Sequence, residues 1–219
     1  MIDRSAILIP VYNSIHTLPE LLERIPESVK DQVILINDGS NDGTGEWLKK
    51  QPVKTIHFSV NRGKGAALKA GIREAEKSGY DFIIHLDSDL QHPPEQINEF
   101  QPRPGELKYG YRSNRGGMPI HRQISNFFTS LLITIRSGSI IRDSQCGFRG
   151  FYLTDCRNFR IRDDGFHFES EFILRMALND IAIHPVVIPT IYASESSSIH
   201  PVRDTLNFVW LWFRSYLWT

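Results

Sequence analysis

Short apolar runs mark the first half of the chain at residues 6–11, 33–36, 53–58 and 80–86, and between them apolar residues recur three or four positions apart. Brief apolar runs bounded by polar turns read as buried strands, and the wider spacing reads as helices facing a core. Strands are therefore expected at those four runs, with helices over 17–25, 43–50 and 63–78. Pro19 and Glu20 fall in the first turn of the first helix, where a missing N–H and a negative charge are both tolerated. Ala66, Ala67, Ala70, Ile72 and Ala75 give the third helix a small-residue face. This alternation predicts an α/β fold, a Rossmann-like, mostly parallel sheet with helices on both faces. Ligands bind such sheets beyond the carboxyl ends of the strands. The loops at those ends carry Tyr12-Asn13, Asp38-Gly39-Ser40 and Asp87-Ser88-Asp89.

The second half is less regular. A loop over 112–119 is followed by an amphipathic helix over 120–136, a strand over 145–152, a helix over 166–178, a strand over 181–188 and a last helix over 202–218. The simplest organisation is a catalytic domain over 1–201 and a C-terminal aromatic amphipathic helix over 202–219.

Composition narrows the classes. A chain of 219 residues suffices for one well-cored domain. Lys+Arg and Asp+Glu both number 25, so the net charge gives no reason to expect nucleic acid as a partner. Two cysteines, Cys146 and Cys156, make no disulfide framework and no zinc-finger spacing, and read as reduced thiols in a cytosolic protein. The apolar run at 6–11 is too brief for a signal peptide, and no uncharged stretch of about 18 residues suggests a membrane span. A cytoplasmic location is expected, either free or peripheral at the inner face of a membrane.

Asp87-Ser88-Asp89 is the sharpest chemical feature. Two carboxylates just past a strand end suit a hard divalent cation, which takes oxygen ligands and substrate phosphates; a turn or helix cap is the alternative. Gln91 could add a carbonyl oxygen, while His92 and Glu95 read as a loop residue and a first-turn carboxylate. Residues 37–44 either read a base and ribose or form a turn capped by Asp42. Residues 61–66, with Arg62, Lys64 and three small residues, either border a diphosphate or let a helix start pack closely. Arg112, Arg115, Arg122, Arg136, Arg142 and Arg149 offer guanidinium forks suited to phosphate, of which two or three at most are expected to be functional.

Five segments stand in the order seen in glycosyltransferase family 2: Ile9-Pro10-Val11-Tyr12-Asn13, Asn37-Asp38-Gly39-Ser40 with Asp42-Gly43-Thr44, Asn61-Arg62-Gly63-Lys64-Gly65-Ala66, Asp87-Ser88-Asp89-Leu90-Gln91-His92-Pro93-Pro94-Glu95, and Gln145-Cys146-Gly147-Phe148-Arg149. Over nearly its whole length the chain resembles that family, and within it the dolichyl- or polyprenyl-phosphate sugar transferases. The resemblance implies a GT-A fold, inverting transfer from a GDP- or UDP-sugar, and Mg²⁺ or Mn²⁺ as cofactor. It implies donor binding by Pro10, Tyr12, Asn13, Asp38, Lys64 and Asp87, with the metal on Asp89 and Gln91. A loop and helix matching residues 112–126 are implied to close over the site, with Arg112, Arg115, Arg122, Asn126 and Arg149 as the acceptor-binding set and Asp89 and Arg122 in catalytic roles. Ser14 departs from the family's frequent acidic residue, and Asn37 from its common Asp-Asp-Gly-Ser.

The acceptor stays open at this point. A lipid phosphate arrives ionised and needs positioning by cations, whereas a saccharide hydroxyl needs a carboxylate base. Glu169 and Glu171 are the candidates, and their spacing lets one of them face the site. A nucleotide-sugar-binding protein without catalysis is a third reading. The aromatic segment 206–218 either lies at a membrane surface or docks on protein. Longer members of the family carry transmembrane segments after the catalytic domain, and none is expected here.

Overall fold

The computed structural model describes residues 4–114, 116–165, 167–191 and 201–218, with side chains from residue 206 onward in the last segment. Strands β1 (Ser5–Val11), β2 (Val33–Asn37), β3 (Lys54–His57) and β4 (Phe82–His85) alternate with helices α1 (Leu18–Arg24), α2 (Thr44–Leu48) and α3 (Lys64–Lys77). After them come β5 (Glu106–Arg112), α4 (Ile120–Ser137), β6 (Arg149–Tyr152), the short α5 (Leu153–Cys156), α6 (Phe168–Leu178), β7 (Ala182–Ile188) and α7 (Pro201–Arg214). Three 3₁₀ turns, at Glu27–Gln32, Pro94–Phe100 and Ser215–Leu217, complete the described elements.

The strands form one sheet in the order β3-β2-β1-β4-β6-β5-β7. β1 is parallel to β2 and β4, and β2 to β3; β6 runs antiparallel between β4 and β5, and β7 is parallel to β5. Both faces of β1 are buried, which explains its unbroken apolar run. Leu8 joins Ile34, Ala67, Phe151 and Phe172 under α3 and α6. Ile7 and Ile9 join Leu18, Leu21 and Leu35 on the other face, under α1. Pro10 breaks no ladder bond: β4 pairs with β1 only as far as His85 opposite Leu8, so the N–H that Pro10 lacks faces a position β4 has already left.

The first-half elements lie where the periodicity puts them. β5 is an addition, a strand of alternating Leu107 and Tyr109 interrupted by Gly110. Gly110 is needed because an added Cβ would come within 2.6 Å of Cys146 Sγ. β6 is shorter than expected, since residues 145–148 leave the sheet to build the site. Of the C-terminal segment, Phe208 and Leu211 reach the core shared by α4 and α6. Cys146 is buried, Cys156 is half-buried, and both are free.

Candidate active site

Three loops converge at the carboxyl ends of β1, β2 and β4, stitched by short polar side chains. Asn13 adopts a left-handed backbone (φ 50°) and accepts the Asn41 N–H at 2.9 Å, while its own N–H donates to Ser40 Oγ at 2.9 Å. The Ser14 N–H donates to Thr44 Oγ1 at 3.0 Å, and Ser14 Oγ lies 2.9 Å from Ser88 Oγ. Thr17 Oγ1 donates to the Ser88 carbonyl at 2.7 Å, fixing the middle of the Asp87-Ser88-Asp89 turn. Tyr12 stands at the rim with 48% of its surface exposed, leaving its ring open to stacking. Asp38 is buried and takes the N–H groups of Arg62 at 2.7 Å and Gly63 at 2.9 Å. It thereby clamps the loop that opens α3. That loop is closed by the backbone of Asp164, which an added Cβ on Gly63 or Gly65 would strike. Close packing, the second of the two readings of residues 61–66, is what the glycines serve.

The charged centre lies below. Lys64 Nζ sits 2.5 Å from Asp87 Oδ1 and 2.5 Å from Glu169 Oε1, joining the first turns of α3 and α6 to the end of β4. His85 Nε2 is 3.3 Å and His92 Nδ1 3.8 Å from the two oxygens of Asp87. Burial favours a protonated Asp87, but the Lys64 ammonium and the two imidazoles hold its carboxyl well below the usual carboxylate range. Burial pushes both imidazoles down, against the pull of Asp87. A Cβ added to Gly147 would come within 2.7 Å of both Asp87 carboxylate oxygens, so there is no room for a side chain there.

His85, Asp87 and Glu169 form the one three-residue cluster of metal-binding type among the described residues, their ligand atoms within 4.8 Å of one another. Lys64 already supplies the cation of that cluster, so a metal does not fit there without expelling it. Asp89 is different. Burial and the neighbouring Asp87 charge push its carboxyl up, and Oδ1 receives the Gln91 N–H at 3.0 Å. The side chains of Asp89 and Gln91 are oxygen donors of the kind that Mg²⁺ or Mn²⁺ takes.

Several expected acceptor residues have partners within the protein. Arg112 pairs in a bidentate fork with buried Asp143, at 2.8 Å for each bond, and Asn126 donates to the same carboxylate at 2.8 Å. Arg149 is buried and donates to the carbonyls of Cys146 (3.0 Å), Ser144 (2.7 Å) and Glu169 (2.6 Å). These pairings share a cause: a buried guanidinium or amide must satisfy its donors locally. Arg149 thereby holds the loop over 144–148 against the start of α6. Arg122 lies half-buried near the start of α4, and Arg115 falls outside the described residues. Glu171 is also withdrawn from the site. Fully buried, it accepts the N–H groups of Arg162 (3.1 Å) and Asp163 (3.0 Å) and pairs with Arg175 at 2.9 Å. Glu169 alone of the two faces Lys64.

Sequence reasoning missed His85, Thr17 and Asp143, and gave Ser14 and Gly147 no part in the site's geometry. A histidine ending an apolar strand was a legible signal for the first; the others depend on partners distant in sequence.

Comparisons with known proteins give the family and the fold. Residues 6–110 match the family described as Glycosyl transferase family 2. The undecaprenyl-phosphate mannosyltransferase of Micrococcus luteus is 30% identical over 185 residues, covering 78% of this chain and 76% of that one. The UDP-N-acetylglucosamine–dolichyl-phosphate N-acetylglucosaminyltransferase of Methanococcus voltae is 25% identical, covering 87% and 86%. The crystal structure of glucosyl-3-phosphoglycerate synthase from Mycobacterium tuberculosis with Mn²⁺ and UDP-glucose superposes with a TM-score of 0.70 at 19% identity, covering 96% and 78%, a likeness of fold.

Proposed function

The chain belongs to glycosyl transferase family 2 and is a glycosyltransferase of GT-A fold, and from that premise we propose that it moves a sugar from a nucleotide-sugar donor to a polyprenyl phosphate. Tyr12 offers its exposed ring to the base, and Lys64 is the cation nearest the developing diphosphate charge. Asp87, held ionised, orients the donor. Asp89 and Gln91 are the residues that would hold Mg²⁺ or Mn²⁺, which when bound neutralises negative charge on the leaving diphosphate.

The pairing of Glu169 carries the choice of acceptor. The carboxylate nearest the donor side chains is engaged with Lys64, with 7% of its side chain exposed. A saccharide hydroxyl needs a base free to take its proton, whereas an ionised phosphate needs none. Arg122 and Arg115, near the start of α4 in sequence, are the guanidiniums assigned to receive that phosphate. The M. luteus and M. voltae relatives, named for undecaprenyl- and dolichyl-phosphate acceptors, support the reading.

Incubation with labelled nucleotide sugars, Mg²⁺ or Mn²⁺ and either polyprenyl phosphate or saccharides tests it. Label should appear in the lipid phosphate; transfer to a saccharide hydroxyl alone would overturn the proposal.

A further inference from the structure

β4 alternates between two layers of the core. Phe82 and Ile84 join the layer under α1, while Ile83 and, two residues on, His85 turn toward α3 and α6. His85 stands opposite Leu8 of β1 and Arg149 of β6, and borders a small cavity lined also by Leu68, Phe168 and Phe172. An imidazole buried in such a layer costs free energy unless its nitrogens are used. Nε2 reaches Asp87 Oδ1 at 3.3 Å and has no hydrogen-bond partner elsewhere among the described residues. Hydrogen bonds within a site are commonly long before substrate binds and tighten with it.

The Asp87 carboxylate is approached at both oxygens. Oδ1 takes Lys64 Nζ at 2.5 Å as well as His85, and Oδ2 faces His92 Nδ1 at 3.8 Å. Lys64 is a point charge on a flexible stem, so it attracts the carboxylate without setting its rotation. His85 hangs from a strand paired on both sides, which gives its Nε2 a set direction. Burial pushes the imidazole down, against the pull of Asp87, and leaves it neutral at pH 7. A neutral imidazole carries one proton. On Nε2 that proton meets Asp87; on Nδ1 it would leave a lone pair facing a carboxylate oxygen.

We infer that His85 is a positioning residue: neutral, with its proton on Nε2, it sets the rotation of the Asp87 carboxylate and so the way that carboxylate meets the donor. The consequence for transfer rests on the donor-orienting role proposed for Asp87; the tautomer does not.

Two measurements test it. Long-range ¹H–¹⁵N NMR of the full chain at pH 7, without donor, reads the tautomer, with His85 assigned as the signal missing from His85→Gln. A neutral ring protonated on Nε2 is expected; an imidazolium, or a ring protonated on Nδ1, would overturn the inference. Kinetics with UDP- and GDP-sugars, Mn²⁺ and undecaprenyl phosphate, followed as nucleoside diphosphate release, read the positioning. His85→Leu should lower kcat about tenfold to a hundredfold, with donor KM changed by less than about twofold. His85→Gln, whose amide nitrogen can take the place of Nε2, should recover most of that loss. Melting temperatures should rank the two variants the other way, because Leu suits the apolar layer better than an amide does. Rates that follow the melting temperatures, or a parent-like kcat in His85→Leu, would overturn the inference. Asp87→Asn keeps the two roles apart: a parent-like rate there refutes the role of Asp87, whereas a lost rate there beside a parent-like His85→Leu refutes that of His85. A parent inactive toward every nucleotide sugar tried refutes the proposed transfer, and the tautomer then decides His85 by itself.

Discussion

Lys64 Nζ lies 2.5 Å from Glu169 Oε1, an ion pair that ties the first turn of α3 to the first turn of α6 inside the site. The same ammonium reaches Asp87, so one cation holds two carboxylates that would otherwise repel each other across a buried space.

Lys64→Met should leave those carboxylates buried and uncompensated. Removing one partner of a buried pair costs about 3–5 kcal/mol. Urea denaturation at neutral pH should show a loss of that order. Transfer should fall by about a hundredfold or more, the loss expected when a group stabilising transition-state charge is removed. An unchanged urea midpoint would show that Lys64 does not compensate the pair.

Glu169→Gln and Glu171→Gln should separate. Glu171 bonds the loop at 162–163 and Arg175, so Glu171→Gln should cost about 2–3 kcal/mol. For a domain of this size that lowers the melting temperature by roughly 4–12 °C. Donor affinity per folded molecule should persist. Glu169→Gln leaves Lys64 paired with Asp87, so it should lower the melting temperature less than Glu171→Gln does but weaken donor binding by loosening the hold on Lys64, as calorimetry would record. The reverse pattern would contradict the assignment of the two carboxylates.

Gly147→Ala tests the approach of the loop to Asp87. An added methyl meets the Asp87 carboxylate directly, and that carboxylate is braced by Lys64 and His85. Displacing a positioned group by about an ångström can cost a hundredfold in rate. Activity should fall by about that factor, with a smaller effect on the urea midpoint. Parent-like turnover would mean that Asp87 has slack the contacts do not show.

Asp143 links stability to pH. Burial would raise its carboxyl, but the Arg112 fork and the Asn126 amide hold it below the usual carboxylate range. Because its folded value is depressed, its contribution is fully present above the unfolded Asp value of about 3.9 and is lost as pH falls through the folded value. Urea midpoints should decline below about pH 4. Asp143→Asn should be destabilised at pH 7, with a shallower decline in acid. Parallel profiles for parent and variant would remove Asp143 from the account.

Periodic apolar spacing placed strands β1 to β4 and helices α1, α3, α4 and α6 to within a few residues, because each such element is specified by neighbours along the chain. It also put Asp87 and Asp89 at a strand's carboxyl end, the place where an α/β sheet binds ligands. β5 stayed hidden because Gly110 interrupts its alternation for the sake of Cys146, a partner in another segment.

Asp87-Ser88-Asp89 and the five ordered segments are legible in the sequence, and with them the family and the place of the candidate site. Tertiary structure decided which side chains reach it. Glu169 and Glu171 point about 160° apart on a helix, and only packing says which faces Lys64. Arg112 and Arg149 look alike in sequence as phosphate ligands, yet each is committed to partners 31 and 20 residues away. The physical reason is that burial and pairing are properties of the folded neighbourhood: a charge withdrawn from water must find its partner there, and the local sequence does not name that partner.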